Sequence, residues 1–204
     1  MAMNRVVLGL YLVWASVLAW EALAAQVPSA RTIPDGTVRA GTLSFDARAT
    51  AGNFTGTTTS VTGEMKGGAL TDVRGWVEAP VRTLATGNER RDRDLNKSME
   101  SGKYPVIRFE LTRVAAPESP GDSVSVILYG RFIIHGVTRE GTVPASVVFG
   151  TDEIRVHGET SLNLKEYKIG GLSKALGMLK MHEKIVIRLD LAFGPAEPSQ
   201  QARR

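Results

Sequence analysis

The sequence contains no cysteine, few aromatic residues and only three histidines. Among its 204 residues none supplies a thiolate, so disulfides, thiol catalysis, cysteine-ligated zinc and a cysteine-linked lipid anchor are excluded. His135, His157 and His182 stand in separate segments, and no carboxylate lies at a spacing that identifies a reaction. His135 falls in a predicted turn, where we expect it to satisfy backbone groups. Nucleophile elbows, phosphate loops and dinucleotide fingerprints are missing as well. The sequence therefore predicts neither an enzyme nor a metal site, and no cofactor.

Clustered basic charge is also missing. The net charge is +4, and no run of lysine or arginine is longer than two residues. Because nucleic-acid binding needs a concentrated basic footprint, the sequence predicts no nucleic-acid partner.

The longest apolar run stands at the N-terminus and is short for a membrane span. It covers residues 6–20, follows Arg5, and ends at Glu21 before a cluster of small residues. This layout predicts a signal peptide over residues 1–25, cleaved after Ala24 or Ala25. The alternative of an uncleaved anchor is less favoured, because a spanning helix needs roughly 20 apolar residues. We expect the mature protein to be secreted, and to be periplasmic if the source is Gram-negative.

A short charged helix interrupts a strand-like sequence near its middle. Leu95 and Met99 are four residues apart in a densely charged segment, a spacing that places both on one helix face. We expect Gly102 to end this helix. Pro105 favours an extended conformation in the residue before it, and an alternating strand follows over residues 107–112.

Alternating apolar and polar residues recur between turn signals along the rest of the chain. Pro144 indicates an edge position or a bulge in its strand. About eight antiparallel strands with one helix are expected, which suits an all-β sandwich or a closed barrel. The predicted strands cover residues 37–50, 57–65, 70–80, 107–112, 124–131, 142–149, 154–164 and 185–193.

The domain organisation follows from these patterns. Residues 26–36 form a proline-rich leader, residues 37–193 form one domain, and residues 194–204 form a polar tail that we expect to be disordered. An outer-membrane barrel is disfavoured, because most strands carry charges on one face and aromatic residues make up 6% of the chain.

Several motifs resemble those of the YceI-like proteins. The charged segment 89–95 with the strand 103–109, the segment GRFIIHGVT at 130–138 and the late strand 158–169 occur in that family's order. The resemblance implies an eight-stranded antiparallel, lipocalin-like barrel around an apolar tunnel. It also implies binding of a long-chain isoprenoid, quinone-like or other amphiphilic lipid, often in the periplasm, with a homodimer as one arrangement. Family members commonly carry histidine where Asp94 stands here.

Eight strands make a barrel that is either filled by side chains or holds one slender ligand. Small residues at strand positions, such as Gly63, Gly75 and Gly130, favour unfilled interior volume; the alternative is close packing of strands. Each buried methylene of a ligand would contribute ~0.8 kcal/mol. The predicted tunnel residues are Phe45, Phe54, Trp76, Ile107, Phe109, Tyr129, Phe132, Leu162, Leu172 and Leu176.

The charged helix offers a candidate contact for a ligand head group. Arg90, Arg91 and Arg93 carry guanidinium groups that pair with anions. The alternative is a solvated helix face whose arginines pair with Asp92 and Asp94. The competing function is a packed barrel without a ligand, acting as an interaction or stress-response module.

Overall fold

The computed structural model describes residues 32–50, 52–116, 121–170, 173–174 and 179–195. The predicted signal peptide lies outside these residues. One α-helix, α1, spans Glu89–Ser98, and short 3-10 turns span Leu70–Asp72, Val81–Thr83 and Leu164–Tyr167. The strands are β1 (Thr32–Ile33), β2 (Gly36–Ala47), β3 (Phe54–Thr58), β4 (Thr62–Lys66), β5 (Gly68–Ala69), β6 (Arg74–Pro80), β7 (Val106–Ala115), β8 (Ser123–Ile134), β9 (Val137–Phe149), β10 (Ile154–Asn163), β11 (Ser173–Lys174), β12 (Leu179–Lys180) and β13 (Lys184–Pro195).

The main sheet closes on itself. Its strands follow the order β13-β10-β9-β8-β7-β6-β4-β2, and β2 pairs back with β13 over ten positions. Strands β3 and β4 lie beside different parts of β2 and together occupy one position of the barrel. The predicted all-β, eight-stranded antiparallel barrel with one short helix is confirmed.

The inward side chains form two cores, one at each end of the barrel. Leu111 and Leu128 pack against both. The helix-end core consists of Phe45, Ala47, Val81, Leu84, Met99, Phe109, Phe132, Ile134, Val143, Leu164, Tyr167, Ile169 and Ile185. The far-end core consists of Ile33, Val73, Val114, Val124, Val126, Val147 and Ile154.

Helix α1 closes one end of the barrel. Met99 is buried in the helix-end core and Leu95 packs against it, as their spacing predicts. The predicted end at Gly102 is wrong, because the helix stops at Ser98 and Glu100 adopts a left-handed φ of +46°. No helix within the described ranges is long and apolar enough to cross a membrane.

The start of α1 is fixed by a side-chain cap. The Asn88 Oδ1 atom accepts a hydrogen bond from the Arg91 backbone N–H at 3.0 Å. We expect Asn88→Ala to lower the free energy of unfolding by about 1 kcal/mol, because a backbone N–H in the first turn of the helix loses its hydrogen-bond acceptor. Urea denaturation measures this. Asn53→Ala, in an exposed loop, is the matched control, and equal stability of the two variants would contradict the capping role.

Pro144 marks a change in the pairing of β9. Strand β9 pairs with β8 along nearly its whole length, from Val137 to Val148. Its pairing with β10 covers only residues 145–149 and stops next to Pro144. Proline has no N–H to donate. The predicted edge position therefore holds for the half of β9 that precedes Ala145.

The described fold extends slightly beyond residues 37–193 at both ends. Ile33 is buried, and β2 begins at Gly36, so the last part of the predicted leader belongs to the fold. Strand β13 continues to Pro195. The rest of the predicted tail lies outside the described residues.

Candidate functional site in the barrel interior

Two adjoining cavities lie inside the barrel. The larger has a volume of about 80 Å³ and extends toward the far end; the smaller has about 50 Å³ and lies nearer the helix end. Val77, Phe109 and Leu189 border both. The walls are almost entirely carbon. The interior is thus one apolar space, divided near its middle by these side chains.

The cavities are small for a lipid. A cavity of about 150 Å³ holds one benzene-sized molecule, and both cavities together are smaller than that. A long chain would therefore fit only after interior side chains change rotamer. Met65 borders the larger cavity, and its flexible thioether side chain adapts readily to such changes.

At the glycines predicted to leave interior space, an added side chain would meet a neighbouring strand or ring. A Cβ added to Gly63 would lie 2.4 Å from the Trp76 carbonyl oxygen, and one on Gly75 would lie 2.4 Å from that of Glu64. A Cβ on Gly130 would lie 2.5 Å from the Phe109 ring. These positions fit the alternative interpretation, close packing of strands. At Gly63 and Gly75 the missing side chain lets a neighbouring strand approach, and at Gly130 it makes room for a neighbouring ring.

Six of the predicted tunnel residues belong to the helix-end core or pack against it. The Phe109 and Phe132 rings have centroids 4.7 Å apart, and the Phe45 and Phe54 rings meet edge to face at 6.2 Å. Phe132 borders only the smaller cavity. The six are Phe45, Phe54, Ile107, Phe109, Phe132 and Leu162.

The structure places Trp76 and Tyr129 on the outer face. Trp76 pairs across strands with Glu64 and Glu110, and the Arg108 guanidinium lies 4.3 Å from its ring centroid. The Arg113 guanidinium lies 3.7 Å from the centroid of the Tyr129 ring. Side chains alternate between the two faces of a strand, and the residues next to Trp76 in β6 and next to Tyr129 in β8 take the inward positions. Trp76 and Tyr129 therefore point outward. Trp76 and its neighbour Gly75 both also border the larger cavity.

Leu172 and Leu176 lie outside the described residues. The sequence prediction missed aliphatic lining residues such as Val77, Val143 and Leu189, and also the aromatic Phe149 and Phe193 of the larger cavity. The prediction favoured aromatic residues. Alternation could have identified Leu189, which shares its strand phase with Ile185 and Ile187 in the predicted final strand.

The three candidate head-group arginines do not converge. Arg93 forms an exposed ion pair with Glu89 at 3.6 Å, and Arg90 is exposed. Arg91 donates from Nε to the Thr86 hydroxyl at 2.9 Å, and its guanidinium lies 4.3 Å from the Phe54 ring centroid. Of the three, Arg91 alone contacts a predicted tunnel residue. Asp92 accepts hydrogen bonds from Thr86 rather than from an arginine.

A buried histidine links the turns that close the helix end. His135 and Gly136 both have positive φ, at +52° and +72°, as a two-residue hairpin turn requires. The His135 Nδ1 atom lies 3.0 Å from the Tyr167 carbonyl oxygen, so Nδ1 carries the proton because a carbonyl only accepts. Nε2 lies 3.4 Å from a Glu100 carboxylate oxygen. Burial raises the pKa of the Tyr167 phenol, and Glu166 acts in the same direction.

We expect His135→Ala to lower the free energy of unfolding by about 2 kcal/mol, because the Tyr167 carbonyl loses its donor and alanine disfavours a positive φ. His135→Asn should cost less, since asparagine tolerates that conformation. His157→Ala is the control, because its pairing with Asp190 at 3.3 Å is exposed. Urea denaturation measures all three, and equal stability of the His135 and His157 variants would contradict the prediction.

The far end is closed by the N-terminal residues of the fold. Strand β1 pairs with β5, and Ile33 and Val73 are buried there. The Asp35 carboxylate accepts a hydrogen bond from the Gly67 N–H at 2.8 Å and pairs with Lys66. The Gly67 bond, with a smaller effect of Lys66, lowers the pKa of Asp35. Both ends of the barrel are therefore covered.

Metal ligands are not grouped in the part of the chain that the structure describes. No cluster of three or more histidine, cysteine, aspartate or glutamate residues there could hold a metal ion.

Comparisons with known proteins agree with this geometry. The family model described as YceI-like domain matches residues 37–193. No curated protein matches the chain.

Solved structures with the same fold include the following three. A polyisoprenoid binding domain from Saccharophagus degradans is 14% identical, with a TM-score of 0.64, over 78% of this chain and 98% of that one. BcnA of Burkholderia cenocepacia is 14% identical, with a TM-score of 0.62, over 74% and 95%. The Campylobacter jejuni YceI protein is 16% identical, with a TM-score of 0.50, over 61% and 73%. At these identities the likeness shows the fold.

Proposed function

This chain belongs to the YceI-like family, and from that premise we propose that it binds a long-chain isoprenoid or similar amphiphilic lipid inside its barrel, to sequester or carry it. The observation that carries the proposal is the apolar interior, in which two cavities adjoin on either side of Val77, Phe109 and Leu189. The similarity in fold to the polyisoprenoid binding domain from Saccharophagus degradans supports the choice of ligand class. We propose a binding protein rather than an enzyme.

The chemistry of the walls defines which part of a lipid would be bound. Charged side chains near the cavities belong to outward strand positions, where Arg108 pairs with Glu78 at 3.0 Å and with Glu110 at 3.2 Å. Each methylene moved from water into such walls contributes ~0.8 kcal/mol. Ordering a flexible chain offsets part of this gain. The interior suits an uncharged hydrocarbon chain, and the head group would lie outside it.

The small cavity volumes favour a second candidate function. A barrel already filled by its own side chains could serve as an interaction or stress-response module without a ligand. The two functions differ in one measurable property, which is the uptake of hydrophobic chains.

Native mass spectrometry of the mature protein with polyprenols of increasing chain length tests the proposal. We expect a one-to-one complex whose affinity rises with chain length until the tunnel is filled. An unfolding midpoint that rises with lipid concentration would support the same conclusion, since binding to the native state alone stabilises it. Absence of uptake, or affinity independent of chain length, would favour the packed interaction module.

We also propose export through the predicted signal peptide, to the periplasm if the source is Gram-negative. N-terminal sequencing of the protein from its own host should give a mature chain beginning at Ala25 or Gln26. A protein that retains residues 1–25 would contradict this. The homodimer stays a prediction of the family resemblance.

A further inference from the structure

A lipid cannot reach the interior along the barrel axis without displacing a core. At the helix end, Met99 and Tyr167 are buried across the opening. At the far end, Ile33 and Val73 are buried in the same way. A route through the barrel wall would leave the residues that cover the two ends in place.

The wall is incomplete between β9 and β10. Their ladder ends at the pair Ala145 and Gly158. Beyond it, β10 continues to Asn163 paired with β13, and β9 pairs with β8 alone among the described strands. We call the space between residues 137–144 of β9 and residues 159–163 of β10 the lateral slot. A side-chain hydrogen bond crosses it, from the Thr160 hydroxyl to the Thr142 carbonyl at 3.0 Å.

The lateral slot lies between an inner and an outer space. On the inside, Val143 and Thr160 border the smaller cavity. On the outside, Pro144 and Glu159 border an open groove of about 1010 Å³. Leu189 borders the groove and both cavities. Here a single layer of residues separates solvent from the apolar interior.

The outer groove combines the two characters of an amphiphile. Its polar walls include Ser125, Ser146 and the Arg188 guanidinium, which pairs with Glu159 at 2.8 Å. Its apolar walls include Pro144 and Ile127, whose exposed fraction is 41%. A lipid could rest here with its head group in solvent before its chain passes inward.

We propose that the ligand chain enters the barrel through the lateral slot, which opens when the Thr160–Thr142 hydrogen bond breaks. This inference rests on the proposed lipid-binding function. Opening at this point breaks no backbone pairing between β9 and β10, because their ladder already ends at Ala145 and Gly158. Elsewhere in the same ladder, opening would break backbone hydrogen bonds.

A disulfide across the slot tests the route. Val143 and Thr160 would be the next inward pair if the register of Ala145 and Gly158 continued. The hydrogen bond from Thr160 to the Thr142 carbonyl at 3.0 Å holds the two strands close enough here for a disulfide to be attempted. The chain has no other cysteine. We expect oxidised V143C/T160C to take up a fluorescent polyprenol at least about tenfold more slowly than its reduced form, because the disulfide holds the slot closed and blocks access to the interior.

The matched control is V148C/R155C, which links β9 to β10 through two exposed positions where they already pair. Its oxidised and reduced forms should take up lipid at equal rates. Uptake by oxidised V143C/T160C at the reduced rate would overturn the slot and point to another part of the wall. Absence of uptake by the wild-type protein would overturn lipid binding itself, so the two failures are distinguishable.

A second pair of variants avoids disulfide chemistry. Thr160→Val removes the hydroxyl that crosses the slot, and we expect faster uptake and release. Thr142→Val is its control, because Thr142 accepts through its backbone carbonyl and keeps that bond. Equal uptake rates for the two variants would contradict the role of this hydrogen bond.

Discussion

Phe109→Ala should lower the free energy of unfolding by about 3–5 kcal/mol, as expected for truncating a buried phenylalanine. The same change should enlarge the lipid site, because Phe109 separates the two cavities and borders both. Bound polyprenol should then restore part of the lost stability, since a ligand that binds only the native state stabilises it. Urea denaturation with and without lipid measures both effects.

Phe132→Ala is the matched control for Phe109→Ala. The two rings are in contact and similarly buried, with exposed fractions of 6% for Phe132 and 8% for Phe109. Each ring also packs over a glycine: a Cβ on Gly141 would meet the Phe132 ring, and one on Gly130 would meet the Phe109 ring. Phe132 does not border the larger cavity, so its removal should cost similar stability without joining the cavities. Equal gains in lipid affinity for both variants would contradict the dividing role of Phe109.

Gly63→Ala should lower the free energy of unfolding by about 2–3 kcal/mol through overpacking. The new Cβ would lie 2.4 Å from the Trp76 carbonyl oxygen and 2.8 Å from a Val77 methyl carbon. The Trp76 contact is with backbone, so β4 and β6 would have to move apart. This cost exceeds the roughly 0.5–1 kcal/mol that alanine gains over glycine in a strand.

Gly102→Ala is the control, because the nearest atom to its Cβ would be an Arg82 guanidinium nitrogen at 3.8 Å. We expect its stability to stay within about 0.5 kcal/mol of the wild type. Urea denaturation compares the two variants. A Gly63→Ala protein as stable as Gly102→Ala would mean that β4 and β6 can separate at little cost, and that the glycines there serve another purpose.

Local patterns in the sequence predicted the strands and the helix well. Leu95 and Met99 pack into one core because a four-residue spacing always places two side chains on one helix face. Pro144 indicated an edge because proline lacks an N–H, and the β9–β10 ladder stops beside it. Both conclusions depend only on nearby residues, which is why the sequence was sufficient for them.

The strand phase was readable for Trp76 and ambiguous for Tyr129. Trp76 shares its register with Arg74 and Glu78, so alternation in β6 already indicates an outward position, which the preference for aromatic tunnel residues overlooked. In β8 the register of Tyr129 also contains Ile127 and Ile133, so hydrophobicity does not identify the inward face. The partners decide: Trp76 lies beside Glu64 and Glu110, and Tyr129 lies under Arg113. The end of the helix was likewise misassigned, because Glu100 rather than Gly102 adopts the left-handed conformation.

The sequence by itself determined the all-β class, the position of the helix and the apolar character of the interior, because alternation and spacing act over a few residues. Only the tertiary structure decided which side chains divide the interior, where glycines admit neighbouring strands, how His135 reaches Tyr167, and where the β9–β10 ladder ends. These features depend on contacts between residues far apart in the chain. Such contacts are set by how the barrel closes, and no local pattern encodes them.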